Sequence, residues 1–316
     1  MDKKRLIIID SNAIIHRAFH ALPPLTTKKG EAIGAVYGFL LFFFKALKEF
    51  KPDFIVATFD FPAPTFRHKE YDLYKATRKK APDDLYSQIP KTKEVMENFN
   101  VQVFEKQGYE ADDIIGTVSE LVKNRKPVIE TIILTGDTDT FQLIDKNTKV
   151  YTLKRGIKDA VLYGEQEIKE KYGLDFSQLV DFKALRGDPA DNIPGVPGIG
   201  EKTAILLIKE FGTLENLYKE LEKNNKKIKE AIKEKLIAGK EKAILSKMLS
   251  KIDVKVPIDF DLEKCEWKNY NKEKAKKILN HYEFFSLIKR LEETEEKHVS
   301  APILKNKKEN SNLSLF

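Results

Sequence analysis

Leu6-Ile7-Ile8-Ile9-Asp10 decides the fold, because two later runs repeat its form: Ile55-Val56-Ala57-Thr58-Phe59-Asp60 and Ile132-Ile133-Leu134-Thr135-Gly136-Asp137. Each is a short apolar run that ends on an aspartate. Such runs read as strands buried on both faces, the form that parallel strands take. Val101–Phe104 and Val150–Leu153 are further candidates, and amphipathic stretches of helical period lie between the runs. The alternation up to about residue 185 predicts an α/β core, with a mostly parallel central sheet flanked by helices. Ligands in open α/β sheets sit at the carboxyl ends of the strands. Terminal aspartates repeated strand after strand therefore gather acids at one place.

More acids follow. Glu110, Asp112 and Asp113 stand at the start of a helix, where capping accounts for one or two carboxylates but less well for three. Asp139 lies two residues after Asp137, so both point the same way from an extended stretch, and Asp188 and Asp191, three apart, share a face in a helical turn. Two unit charges 4 Å apart repel by roughly 4 kcal/mol at an effective dielectric near 20. If these nine carboxylates converge, cations must stand between them. Oxygen ligands with almost no nearby His or Cys select Mg²⁺, or Mn²⁺, over Zn²⁺, and the excess of acids suits a pair of ions. The alternative is a scatter of caps and loop acids.

At 316 residues and 41% hydrophobic, the chain can bury a full core and a second small module. No apolar run reaches membrane-spanning length. The first residues read as a strand rather than a signal peptide, and the single cysteine, Cys265, fits a reducing compartment. The expectation is a cytoplasmic protein.

Net charge is +7 despite the acids, and residues 219–255 carry twelve Lys against six Asp and Glu. Basic surfaces beside an acidic, metal-binding pocket suit an anionic polymer, so DNA or RNA is the expected partner. Residues 66–93, between the second and third strands, are basic and aromatic, with Arg67, His68, Tyr74, Lys75 and Arg78 six or more residues beyond Asp60. Loops after strand ends carry function, and this one is placed to guide a nucleic-acid strand toward the acids. After Asp191 comes Gly195-Val196-Pro197-Gly198-Ile199-Gly200-Glu201-Lys202-Thr203-Ala204. It misses the P-loop pattern by one residue. It reads instead as a helix–hairpin–helix, in which Gly195, Gly198 and Gly200 permit a tight turn and Lys202 and Thr203 open a helix whose N-terminus faces a phosphate. His16 and His20, four apart, read as packing or substrate contacts, and Trp267 and Cys265 as packing residues.

Together, Ile9-Asp10-Ser11-Asn12, Phe66-Arg67-His68, Tyr74-Lys75-Ala76-Thr77-Arg78, Gly108-Tyr109-Glu110-Ala111-Asp112-Asp113, Gly136-Asp137-Thr138-Asp139 and the Gly187–Ala204 segment resemble the 5′-nuclease domain of bacterial DNA polymerase I. The resemblance runs from about residue 5 to 290, and the wider family includes flap endonucleases and stand-alone 5′–3′ exonucleases. It implies that the nine acids hold two divalent ions, and that residues 66–93 form a helical arch from which Lys75 and Arg78 reach the scissile phosphate. It implies too that Arg17 and Arg67 lie near substrate phosphates, and that the hairpin grips duplex DNA with a bound K⁺. The substrates implied are 5′ flaps, 5′ overhangs and nicks, with roles in primer removal and repair. Thr138 departs from the pattern, since bacterial members often carry a basic residue there.

The resulting division is a nuclease core over 1–185, a helix–hairpin–helix region over 186–291 and a polar tail over 292–316 that should not pack. The tail ends Asn312-Leu313-Ser314-Leu315-Phe316, and Leu313, Leu315 and Phe316 resemble the short peptide by which bacterial replication proteins bind the sliding clamp. The chain is read either as a stand-alone nuclease or as a piece of a polymerase. Two rival functions stay open: a catalytically silent module that binds branched DNA, and a PIN-like ribonuclease.

Overall fold

The computed structural model describes residues 3–155, 159–267 and 270–299. The tail residues Leu313, Leu315 and Phe316 lie outside them. The strand β1 (Lys4–Asp10) pairs in parallel with β2 (Phe54–Thr58) on one side and with β4 (Ile129–Thr135) on the other. Beyond β2 lies β3 (Gln102–Phe104), and beyond β4 lie β5 (Thr148–Arg155) and an antiparallel edge strand, β6 (Asp159–Tyr163). The order β3-β2-β1-β4-β5-β6 reverses direction at β1, which makes the carboxyl ends of β1 and β4 the switch point of the sheet. All five expected strands are present; β6 is the addition.

Alternation along β1 divides the interior. Ile7 and Ile9 pack into one core with α1 (Ser11–Ala21) and α2 (Gly34–Phe50). Leu6 and Ile8 face the other side. Between β2 and β3 come α3 (Phe66–Glu70), α4 (Asp83–Tyr86) and α5 (Gln88–Asn98), and α6 (Ala111–Lys123) leads from β3 toward β4. Ile114, Ile115 and Val118 of α6 cover the Leu6–Ile8 face.

After β6, α7 (Glu165–Tyr172) leads to a helical module with a core of its own, from Leu174 to Ala243. It contains α8 (Leu179–Arg186), α9 (Glu201–Phe211), α10 (Leu214–Glu222), α11 (Glu230–Ala238) and α12 (Lys240–Ser250). The chain then returns to the sheet: Val256 and Cys265 join the core under α6. Trp267, with α13 (Lys272–His281) and α14 (Phe285–Val299), closes the core over α2, the Trp267 ring meeting Phe43 edge-on at 5.7 Å. Packing thus divides the stretch expected as one region over 186–291: from Val256 onward its apolar side chains join the cores on the sheet's two faces.

The stretch expected as a helical arch, 66–93, is helical only in part. Helix covers 66–70, 83–86 and the stretch from 88, while 71–78 is a succession of turns. The turns are pinned to the loop beyond α8: the Lys75 N–H donates to the Asp191 carbonyl at 2.9 Å, and Asn192 Nδ2 donates to the Leu73 carbonyl at 2.7 Å. Tyr74, 3% exposed, packs with Ile193 and Leu249, and Lys75 takes a left-handed backbone with φ of 57°. Such backbone strain in a residue other than glycine costs on the order of 1–3 kcal/mol and persists only where surroundings impose it.

Candidate active site

At the switch point the strand ends deliver their acids. Asp10 caps α1, accepting the Ala13 N–H at 3.1 Å and the Thr135 hydroxyl. Asp60 accepts the Ala111 N–H at 2.8 Å, which ties the end of β2 to the start of α6. Asp137 accepts the Asp139 N–H at 3.0 Å, and Asp188 accepts that of Ala190 at 3.0 Å. Two adjoining cavities result. The first, about 400 Å³, is lined by Asp10, Asp60, Glu110, Asp112 and Asp137, and the second, about 250 Å³, by Asp137, Asp139, Asp188 and Asp191. Asp137 and Arg78 face both. Eight of the nine nominated acids thus meet in two adjacent groups.

Burial and crowding govern their charge. Burial pushes the Asp10 carboxyl up to about 7, opposed by its hydrogen bonds from Thr135 and Ala13 and reinforced by Asp60 and Asp137. Burial likewise takes Asp139 to about 7, with Asp137 adding to the rise and Lys183 opposing it. Asp60 is raised by burial, and Asp112 is raised by burial and by its acidic neighbours. For Glu110 burial is outweighed by Lys75 and Arg67, and its carboxyl falls below the usual range.

Cationic side chains stand among these acids. Lys75 Nζ donates to Glu110 Oε1 at 2.7 Å and lies 4.0 Å from Asp191, while Arg78 donates to Asp191 through Nε at 3.1 Å and through Nη2. Lys183 Nζ bridges Asp188, at 2.8 Å, and Asp139. Among the described residues no three His, Cys, Asp or Glu side chains already surround one point. The donor set is nonetheless all carboxylate oxygen, and ammonium groups occupy the gaps between carboxylates. Hard divalent cations fit such a site.

Several nominated residues have other roles. Asp113 is fully buried and lines neither cavity; Arg67 grips it with two bonds of 2.8 Å, and it also accepts the N–H groups of Glu110 and Asp253. Arg67, 2% exposed, further donates to the carbonyls of Leu249, at 2.9 Å, and Lys251, at 2.8 Å, which leaves no path to a substrate phosphate. The Tyr74 hydroxyl donates to Glu110 at 3.2 Å and lies 3.4 Å from Asp191, so its ring is unavailable for stacking. His68 Nδ1 accepts the Thr65 N–H at 3.2 Å, closing the start of α3. Gly195 is buried, with φ of 60° and its N–H on Ser246 Oγ at 2.9 Å; it shapes the hairpin from within. Gly198, Gly200 and Lys202 are exposed and Thr203 is partly so. Arg17 lines the first cavity with His16 and His20, and donates to the Leu153 carbonyl at 2.6 Å. Sequence reasoning passed over Lys183, whose signal is its place five residues before Asp188 on a short amphipathic helix, and Thr135, one residue short of the β4 terminal Gly-Asp.

The 5′–3′ exonuclease N-terminal, resolvase-like domain profile matches residues 5–173, and the profile of the C-terminal SAM fold of the same family matches residues 174–273. The chain belongs to the 5′–3′ exonuclease family. Among curated relatives, DNA polymerase I of Caldicellulosiruptor bescii is 45% identical over 91% of this chain and 33% of its own length. DNA polymerase I of Bacillus subtilis is 39% identical over 92% of the chain and 33% of its own length. This family member therefore spans about a third of the length of the polymerases it matches. Among solved structures, T5 5′-exonuclease with bound zinc aligns with a TM-score of 0.67 at 18% identity, covering 88% of this chain and 99% of its own. A T5 flap endonuclease complex with DNA and metal ions aligns at 0.65 and 18%, covering 89% of this chain and 100% of its own. Both place the chain in the same fold.

Proposed function

We propose that the protein hydrolyses DNA phosphodiesters as a divalent-metal-dependent 5′–3′ exonuclease and flap endonuclease. The observation that carries this reading is the pair of adjoining acidic cavities at the sheet's switch point, sharing Asp137 and Arg78. Asp10, Asp60, Glu110, Asp112 and Asp137 would hold one ion, and Asp137, Asp139, Asp188 and Asp191 the other. Two such ions, when bound, activate water and neutralise charge on the leaving oxygen. Mg²⁺ is the expected metal, with Mn²⁺ as a substitute.

The chain's own groups supply the rest. Lys75 and Arg78 exchange carboxylate partners for the phosphoryl oxygens of the substrate and stabilise charge that builds there. Their positions on the turns of 71–78 let them enter with the strand. Asn12, whose Oδ1 accepts the Asp60 N–H at 3.2 Å, and Thr135 hold the acids in register. The duplex rests on the exposed hairpin, where the α9 N-terminus with Lys202 and Thr203 meets a phosphate. A K⁺ at the hairpin belongs to the same reading, supported by Lys235 Nζ lying 3.2 Å from the Gly198 carbonyl, a cation already at that oxygen.

The T5 flap endonuclease complex with DNA supports a flap DNA substrate; overhang and nick substrates, and a place in primer removal and repair, are part of the proposal. Among the described residues no helix is long and apolar enough to cross a membrane; a cytoplasmic location is part of the proposal. So is clamp binding through Leu313, Leu315 and Phe316. Cleavage of a 5′-labelled flap duplex with Mg²⁺ and with EDTA tests the nuclease reading. Metal-dependent cuts near the branch point support it, and intact DNA in Mg²⁺ and Mn²⁺ with folded protein refutes it.

A further inference from the structure

The second cavity contains three cationic side chains, and they are not equivalent. Lys183 is spent on Asp139 and Asp188, and Arg78 on Asp191. Arg186, which ends α8, makes no hydrogen bond or ion pair to the cavity's acids among the described residues, although its charge helps to hold the Asp188 carboxyl low. Its ionic contact is Nε to Glu201 at 3.4 Å, its guanidinium lies over the Phe182 ring at 5.8 Å, and its side chain is 37% exposed. The contact with Glu201 is too long and too exposed to hold it firmly; exposed pairs of this kind are worth about 0–1 kcal/mol. Across the same cavity stands Thr138, exposed and carrying no charge.

Position gives this loosely held charge a use. Glu201 is the first residue of α9, the helix that opens from the hairpin, so Arg186 sits between the hairpin and the Asp137–Asp191 group of acids. A polyanion lying on both would run past it. A guanidinium suits a phosphate because its planar donors match the phosphate oxygens in pairs.

On the nuclease reading above, we propose that Arg186 is a phosphate-positioning residue. It exchanges Glu201 for a backbone phosphate of the DNA strand between the hairpin and the acids, and so sets the register in which the duplex meets the cavities.

The test is DNA binding and cleavage by the full chain on a nicked 5′-flap duplex across a salt series, with folding checked by thermal melting. Arg186→Ala should weaken binding by about eightfold near 0.1 M salt, the factor one released counterion contributes, and should make the slope of log K against log salt shallower by about 0.9. In cleavage the loss should fall on KM more than on kcat. Arg186→Lys should recover most of the salt slope, and Thr138→Lys added to Arg186→Ala should restore part of the affinity by placing a cation across the same cavity. Glu201→Gln should tighten binding by releasing the guanidinium. Arg186→Ala with unchanged affinity and slope would overturn the proposal and leave Arg186 as a partner of Glu201 alone. So would a loss confined to kcat, or no gain from Thr138→Lys. A wild-type protein that fails to cut the flap in Mg²⁺ would refute the nuclease reading instead, and is distinguished by failing before any variant is compared.

Discussion

Replacing Arg67 by Met separates the two roles this residue could have. Family resemblance put it beside substrate phosphates; in the structure it is 2% exposed, with two 2.8 Å bonds to Asp113 and bonds to the Leu249 and Lys251 carbonyls. Removing one partner of a buried pair costs about 3–5 kcal/mol, because the remaining charge is left uncompensated. Asp113 would keep the N–H groups of Glu110, at 3.1 Å, and Asp253, at 2.8 Å, so the lower end applies. We expect a loss of about 3 kcal/mol in denaturant-induced unfolding. Arg67→Lys should recover little, since one ammonium cannot span both carboxylate oxygens and two carbonyls. The folded fraction of Arg67→Met should bind flap DNA with the wild-type salt slope. A loss under about 1 kcal/mol, joined to a slope shallower by about one, would refute the assignment and return Arg67 to the substrate.

Three further outcomes follow from the same geometry. Asp137→Asn, which alters both cavities, should lower flap cleavage by about two orders of magnitude or more while the thermal melt stays cooperative, because charge stabilisation at the reacting phosphate is lost; retained turnover would place the metals elsewhere. Lys183→Met leaves Asp139 and Asp188 without their shared ammonium, so Mg²⁺ should raise the melting temperature more than it does in the wild type; an equal or smaller rise would count against the lysine standing where a cation belongs. Gly195→Ala puts a Cβ 2.4 Å from the Gly187 nitrogen at a φ of 60°, and should cost about 2 kcal/mol or more of stability, with hairpin-dependent DNA binding falling alongside; a neutral melt would show that the hairpin yields to a Cβ and does not depend on this glycine.

The sheet was legible because its central strands β1, β2 and β4 are mostly buried on both faces and so spell continuous apolar runs. The edge strand β6 was not, since Asp159–Tyr163 is short and only half buried. Eight acids of the site could be read from their places at strand ends, helix starts and turns, all local signals. Asp113 could not be told from Asp112 by such signals: one residue of rotation on α6 turns its side chain from the cavity to Arg67. The part played by Arg67 depends on carbonyls 182 and 184 residues away, which no local pattern encodes. The stretch 71–78 misled for a related reason. Its charge and aromatics suit an exposed helix, yet Tyr74 is drawn inward by Glu110, and by Ile193 and Leu249, the latter two available only after the helical module has docked.

The return of the chain to its own sheet has a consequence for the order of events during synthesis. β1 leaves the ribosome well before α13 and α14, yet one of its faces shares a core with them, more than 260 residues later. At about 5–20 residues per second, that face waits roughly a quarter of a minute to a minute for its cover. Over that interval α2, with Phe39, Phe42, Phe43 and Phe44 in the same core, is the shield at hand. Its apolar run Phe39–Phe44 is what a nascent sheet needs while α13 and α14 are still unmade.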